Sequence, residues 1–106
     1  MIGTSGFCIT GAKGFHITFD NGVTVSVQFG YGNYCANYSA RDVLNFTGKV
    51  PENCSSVDAE IAIWKYGGKW ITKECTFLEA ADDVYGNAKP DLVLQVLNWA
   101  KEYKGE

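Results

Sequence analysis

Arginine and histidine occur once each in the 106-residue chain, as Arg41 and His16, and proline only twice. Acidic residues outnumber basic ones by 12 to 9, a net charge of −3. A sequence-independent nucleic-acid binder carries a basic excess, so that class is excluded. A single histidine excludes a multi-histidine metal site. No run approaches the ~18 apolar residues of a membrane-spanning helix. Gly-x-Gly occurs only as Gly30-Tyr31-Gly32, without the spacing of a phosphate loop. The four cysteines, Cys8, Cys35, Cys54 and Cys75, contain no C-x-x-C pair, and a zinc site would need all four to converge. Met1–Gly6 has neither a charged n-region nor an apolar h-region, so no secretory signal is read. The expectation is reduced thiols packed mostly as small hydrophobes, with no metal and no cofactor.

The chain is nevertheless 46% hydrophobic and 14% aromatic, with 12 glycines. That is enough apolar material for one core, and the length suits one domain over residues 1–106. Phe15, Ile17 and Phe19 alternate with His16, Thr18 and Asp20. Val23, Val25, Val27 and Phe29 alternate with Thr24, Ser26, Gln28 and Gly30. Period-2 alternation marks half-buried strands, and Asn21-Gly22 between them marks a hairpin. Parity chooses the loop. A two-residue loop would set Phe19 opposite Thr24 and put the apolar sets on opposite faces. A three-residue loop, Asp20-Asn21-Gly22, pairs Phe19 with Val23, Ile17 with Val25 and Phe15 with Val27. The second solution is expected, with Gly22 left-handed in a bulge.

A second hairpin runs through Val57, Ala59, Ile61 and Ile63, with a two-residue Gly67-Gly68 turn. This register sets Trp64 opposite Ile71 and Lys65 opposite Trp70, with aromatic surface on both faces. Phe7–Thr10 reads as an added edge strand. Pro90 and Asp91 open a C-terminal helix whose stripe is Leu92, Val96, Trp99 and Tyr103, widened by Val93, Leu97 and Ala100. Lys101 and Lys104 suit its C-terminal end, and Gly105 its stop. The expected fold is α+β: a small antiparallel sheet of two main hairpins with one C-terminal helix on its apolar face. Phe15, Phe19, Phe29 and Trp99 are the expected core.

Beyond Gly30 the alternation stops. Tyr31, Gly32, Asn33 and Tyr34 interleave rings, glycine and an amide, as a strand that turns sharply or as a ligand loop. Glycine lets a backbone approach a ligand, tyrosines stack on planar rings, and Arg41 is a fork for phosphate. The binding set is Gln28, Tyr31, Gly32, Asn33, Tyr34 and Arg41, with Trp64 or Trp70 closing a pocket or a subunit contact. No residue is assigned a catalytic role. His16 faces Ser26 across the hairpin, and Asp82-Asp83 reads as a solvated loop before the helix.

The run Gly14-Phe15-His16-Ile17-Thr18-Phe19-Asp20-Asn21-Gly22, continued by Ser26-Val27-Gln28-Phe29-Gly30-Tyr31-Gly32-Asn33-Tyr34-Cys35, resembles a family of small phage and prophage proteins. There a Gly-Phe-His-x-x-Phe-x-Asn-Gly hairpin leads into Ser-Val-Gln-Phe-Gly-x-Gly-Asn-Tyr-Cys. The resemblance spans residues 14–66 and extends to 84–100. It brings no activity with it, but it implies a phage origin and the host bacterial cytoplasm. In that setting the reading is a non-enzymatic binding protein, a sponge for a nucleotide-derived immune signal. Two alternatives stand beside it. One is an acidic inhibitor of a host defence protein such as a CRISPR effector, presenting Asp58, Glu60, Glu74, Glu79, Asp82 and Asp83. The other is a small hydrolase of a signalling nucleotide using His16. Aromatic surface on two faces also points to a homo-oligomer.

Overall fold

A computed structural model of the protein describes residues 5–10, 13–30, 35 and 55–104. Five strands follow one another across an antiparallel sheet: β1 (Gly6–Thr10), β2 (Gly14–Thr18), β3 (Thr24–Gln28), β4 (Ala59–Lys65) and β5 (Lys69–Trp70). A sixth, β6 (Val84–Ala88), pairs antiparallel with β4. Since β3 occupies the other side of β4, β5 and β6 share its remaining edge, one after the other. A short 3-10 turn at Thr72–Glu74 links them, and α1 (Pro90–Glu102) closes the fold. The architecture is α+β, as the sequence indicates.

The first hairpin has the register that parity selects. Phe15 lies opposite Val27 and Ile17 opposite Val25. Phe19 N–H donates to the Val23 carbonyl and Gly22 N–H to the Phe19 carbonyl, both at 2.9 Å. Gly22 has φ 85, the left-handed conformation that the bulge requires and that glycine adopts without a Cβ penalty.

The second hairpin corrects its expected register. Trp64 pairs with Trp70 and Lys65 with Lys69 across a three-residue loop, Tyr66-Gly67-Gly68. Gly68 N–H donates to the Lys65 carbonyl at 2.9 Å. Gly67 and Gly68 both have positive φ, 95 and 88, which glycine adopts without a Cβ penalty. Moving a strand by one residue exchanges its faces. The observed register sends Ile63 and Ile71 into the core and both tryptophans to the opposite face, so the two faces of this hairpin are not both aromatic. Strand β4 also begins at Ala59; Val57 lies before it and is 65% exposed.

Helix α1 packs chiefly on β3 and β4. Val96 and Ala100 are fully buried against Val23, Val25, Val27, Ile61 and Ile63, while Leu92, Val93, Leu97, Trp99 and Tyr103 flank them. The fully buried centre is therefore aliphatic. Phe15, Phe19, Phe29 and Trp99 form its partly buried rim, because rings of that size reach past the contact of one helix with the sheet. Each fully buried Val or Ile contributes about 1.5–3 kcal/mol of transfer free energy.

The helix begins with Pro90 in its first turn and Asp91 beside it, without a side-chain N-cap. Its C-terminal end is closed from outside. Asn21, in the first hairpin turn, donates through Nδ2 to the carbonyls of Ala100 (2.8 Å), Tyr103 (3.1 Å) and Lys101 (3.2 Å). Its Oδ1 accepts Val23 N–H at 3.0 Å. Helix C-termini carry carbonyls with no intrahelical partner, and one hairpin amide serves them here. Gly105 lies outside the described residues.

Candidate functional site

Alternation puts Cys8, His16, Thr24, Ser26, Gln28, Ala62 and Trp64 on the sheet face opposite the helix. That face is not an open polar surface: Thr24, Ser26 and Gln28 are buried. Part of the cover is aromatic. The His16 and Trp64 rings meet edge to face with centroids 5.0 Å apart and planes at 89°. They belong to β2 and β4, so the contact reaches over the intervening strand β3. Trp70 extends the row at 5.2 Å from Trp64, and it is 45% exposed. Three rings from three strands thus form one band, with a half-exposed indole at its outer end.

Beside Trp64 lies a cleft of about 240 Å³, between the two hairpin turns and lined by Thr18, Gly22, Thr24, Trp64, Lys65 and Tyr66–Gly68. Thr18 and Thr24 share a hydroxyl hydrogen bond of 2.8 Å. The Lys65 ammonium turns to the helix side, 5.9 Å from the Tyr103 ring centroid. The cleft is therefore an indole wall with a hydroxyl floor, and Lys65 does not aim its charge into it.

Two residues of the expected binding set are described. Trp64 lies in the centre of the aromatic band. Gln28 sits on the same face, four residues along β3 from Thr24, and its side chain is turned into the protein. Nε2 donates to Ser26 Oγ (3.2 Å), Thr10 Oγ1 (3.3 Å) and the Phe15 carbonyl (3.3 Å), tying β3 to β1 and β2. Tyr31, Gly32, Asn33, Tyr34 and Arg41 lie outside the described residues. Trp70, expected with Trp64 to close a pocket or a subunit contact, stands at the outer end, and the site gains Thr18 and Thr24 as its floor and His16 as an aromatic partner.

His16 does stand opposite Ser26. The ring contact it makes is with the Trp64 indole, and Ser26 Oγ accepts from Gln28. A general base needs a proton within reach and a group that orients it. This arrangement sets the Trp64 indole against the imidazole.

Asp82 and Asp83 are exposed, as are Glu74 and Glu79. Asp82-Asp83 precedes β6 rather than the helix, and Thr72 Oγ1 donates to the Asp83 carbonyl at 2.6 Å. Asp58 and Glu60, expected to be exposed, are half-buried. Asp58 Oδ2 accepts from Asn87 Nδ2 at 3.1 Å.

Cys8, Cys35 and Cys75 are free thiols, and Cys54 lies outside the described residues. Cys8 is exposed, not packed, because β1 is the outermost strand on its side of the sheet. Burial pushes the Cys75 thiol above its ordinary value of 9.0, against hydrogen bonds from the Phe77 and Leu78 backbone that pull the other way. Among the described residues no three His, Cys, Asp or Glu side chains gather to hold a metal ion, and no helix is long and apolar enough to cross a membrane.

Comparison with family models, with curated proteins and with solved structures finds no match to this chain. The reading of the site stands on its geometry.

Proposed function

We propose that the protein is a non-enzymatic binding protein that stacks the planar ring of a nucleotide-like ligand on the Trp64–Trp70 face. The observation that carries this is the aromatic band, which ends in a half-exposed indole next to a hydroxyl-floored cleft. Every nucleobase offers a π-face, and stacking on an aromatic side chain is worth about 1–3 kcal/mol per base. The Thr18 and Thr24 hydroxyls both donate and accept, so they can read a ring edge or a ribose. Arg41 is the residue proposed for phosphate. The phage setting comes from the sequence resemblance, and with it the biological role: sequestering a nucleotide-derived immune signal in the host bacterial cytoplasm.

Calorimetry with cyclic nucleotides and ADP-ribose derivatives tests the reading. Micromolar or tighter binding is expected for a member of the panel, with Trp70→Ala weakening it about 5- to 150-fold, the equivalent of one lost stack. Absence of binding across the panel, or binding indifferent to Trp70→Ala, overturns it.

One observation favours a second reading, an acidic inhibitor of a host defence protein. Glu79, Asp82 and Asp83 are exposed together in one loop. This reading expects a stoichiometric host protein on affinity capture, released by charge reversal at those positions. Retention after the reversal removes it.

A further inference from the structure

The edge of the sheet at β1 is unlike a protected edge. Natural edge strands are blunted by charge, proline or a bulge. Gly6–Thr10 contains no charged residue and no proline, and its pairing with β2 runs without interruption from Gly6 opposite Thr18 to Thr10 opposite Gly14. Phe7 is 73% and Ile9 81% exposed, on the side of the sheet that carries the core.

The direction of the backbone groups follows from the first hairpin. Phe19 exchanges hydrogen bonds at the β2–β3 turn, so Phe15, Ile17 and Phe19 turn their N–H and C=O toward β3. The alternate residues Gly14, His16 and Thr18 turn theirs toward β1. Their partners Gly6, Cys8 and Thr10 therefore face inward, and Phe7 and Ile9 direct their N–H and C=O to the outside.

We propose that this edge pairs with β1 of a second copy of the chain, antiparallel and centred on Cys8. In that register Phe7 stands opposite the second copy's Ile9, Ile9 opposite its Phe7, and Gly6 opposite its Thr10. The strand is its own complement: both outward-directed residues form hydrogen-bonded pairs, each an aromatic against a β-branched side chain. An uncharged strand offers nothing for a charged peptide to recognise, which favours the second copy over an acidic or basic partner. Phe15 and Ile17, beside Ile9 and Phe7 on β2, extend the apolar strip on both sides of the axis. Among the described residues, helix α1 packs chiefly on β3 and β4, away from this edge. The contact is independent of ligand binding on the opposite face.

The register makes a sharp chemical statement. Cys8 faces the second copy's Cys8 in a non-hydrogen-bonded pair, where Cα atoms lie about 4.5 Å apart. A disulfide accepts Cα separations of about 4.4–6.8 Å. Cys8 is thus a reporter of the pairing.

Analytical ultracentrifugation of the reduced protein is expected to give twice the 11.6 kDa chain mass. Cys8→Ser keeps that mass, and Ile9→Lys returns it to a single chain with an unchanged circular dichroism spectrum. Mild oxidation is expected to cross-link the wild type on a non-reducing gel and to leave Cys8→Ser uncross-linked. A single-chain mass for the reduced wild type across the micromolar range overturns the proposal. So does a dimer that survives Ile9→Lys, one that Cys8→Ser abolishes, or one that oxidation fails to trap through Cys8.

Discussion

Asn21 carries more of the fold than its place in a turn suggests. Its Oδ1 braces the hairpin at Val23, and its Nδ2 serves three carbonyls at the end of the helix. Asn21→Ala is expected to lower stability by about 1–3 kcal/mol in urea unfolding, the cost of groups left without partners. Asn21→Asp should cost more, since it sets a negative charge against the negative end of the helix dipole. Equal stability of all three proteins would refute the capping role. Cys75 gives a second prediction at this scale. Its thiol is held above its ordinary value, chiefly by burial. Between the unfolded and folded values the unfolded chain has released this proton and the folded chain keeps it, so stability falls as pH rises in that window. The contribution is fully present below about pH 9 and is lost above it. Cys75→Ala should flatten that alkaline slope in a denaturation series. An alkylating reagent should label Cys8 in the native protein and Cys75 only on unfolding. Asn21 was legible as a turn residue because Asn-Gly is a local signal. Its capping role was not, because the helix carbonyls lie 79 positions away.

At the scale of elements, the two hairpins differ in how much of them could be read. The first was resolved by asking which loop length gathers Phe15, Ile17, Val25 and Val27 on one side. The same question put to the second selects three residues, because that length gathers Ile63 and Ile71 and sends Trp64 and Trp70 outward together. The glycine pair suggested a shorter turn and concealed this. Deleting Gly68 is accordingly expected to destabilise the protein far more than Gly68→Asn. The deletion forces Ile71 outward, whereas asparagine tolerates the left-handed conformation that Gly68 adopts at φ 88. Thermal unfolding compares them, and equal midpoints would argue against the register. Strand β6 was not legible. Val84–Ala88 contains Gly86 and Asn87, residues that read as punctuation, and Asn87 has φ 58 beside a bulge in the pairing with β4. The aromatic band needed the registers of three strands at once, so the sequence could single out Trp64 and Trp70 but not bring them together with His16 on one face. Gln28 was singled out for being polar at the end of a strand, and β1 supplies the partner that turns it inward.

For the whole molecule, the helix is the cover of the core. Val96 and Ala100 close the side chains of β3 and β4 from one direction only. A chain ending at Lys89 is expected to lose its cooperative thermal transition and to bind a hydrophobic dye. A native-like transition in that truncated chain would show that the sheet is stable without α1. The α+β plan was legible because it follows from two periodicities, two residues in the strands and 3.6 in the helix. The division of the sheet into a helix-covered face and an aromatic face followed from the registers.

The cap between Asn21 and the helix end also sets a timetable. During synthesis the turn emerges long before the carbonyls it will meet. At roughly 5–20 residues per second, the 79 intervening positions correspond to about 4–16 seconds. Through that interval Val23, Val25 and Val27 belong to a nascent chain whose covering helix does not yet exist. The native fold is therefore reached only after Pro90–Glu102 has been synthesised, and a ribosome stalled before Pro90 would hold a ribbon of exposed valines within reach of chaperones.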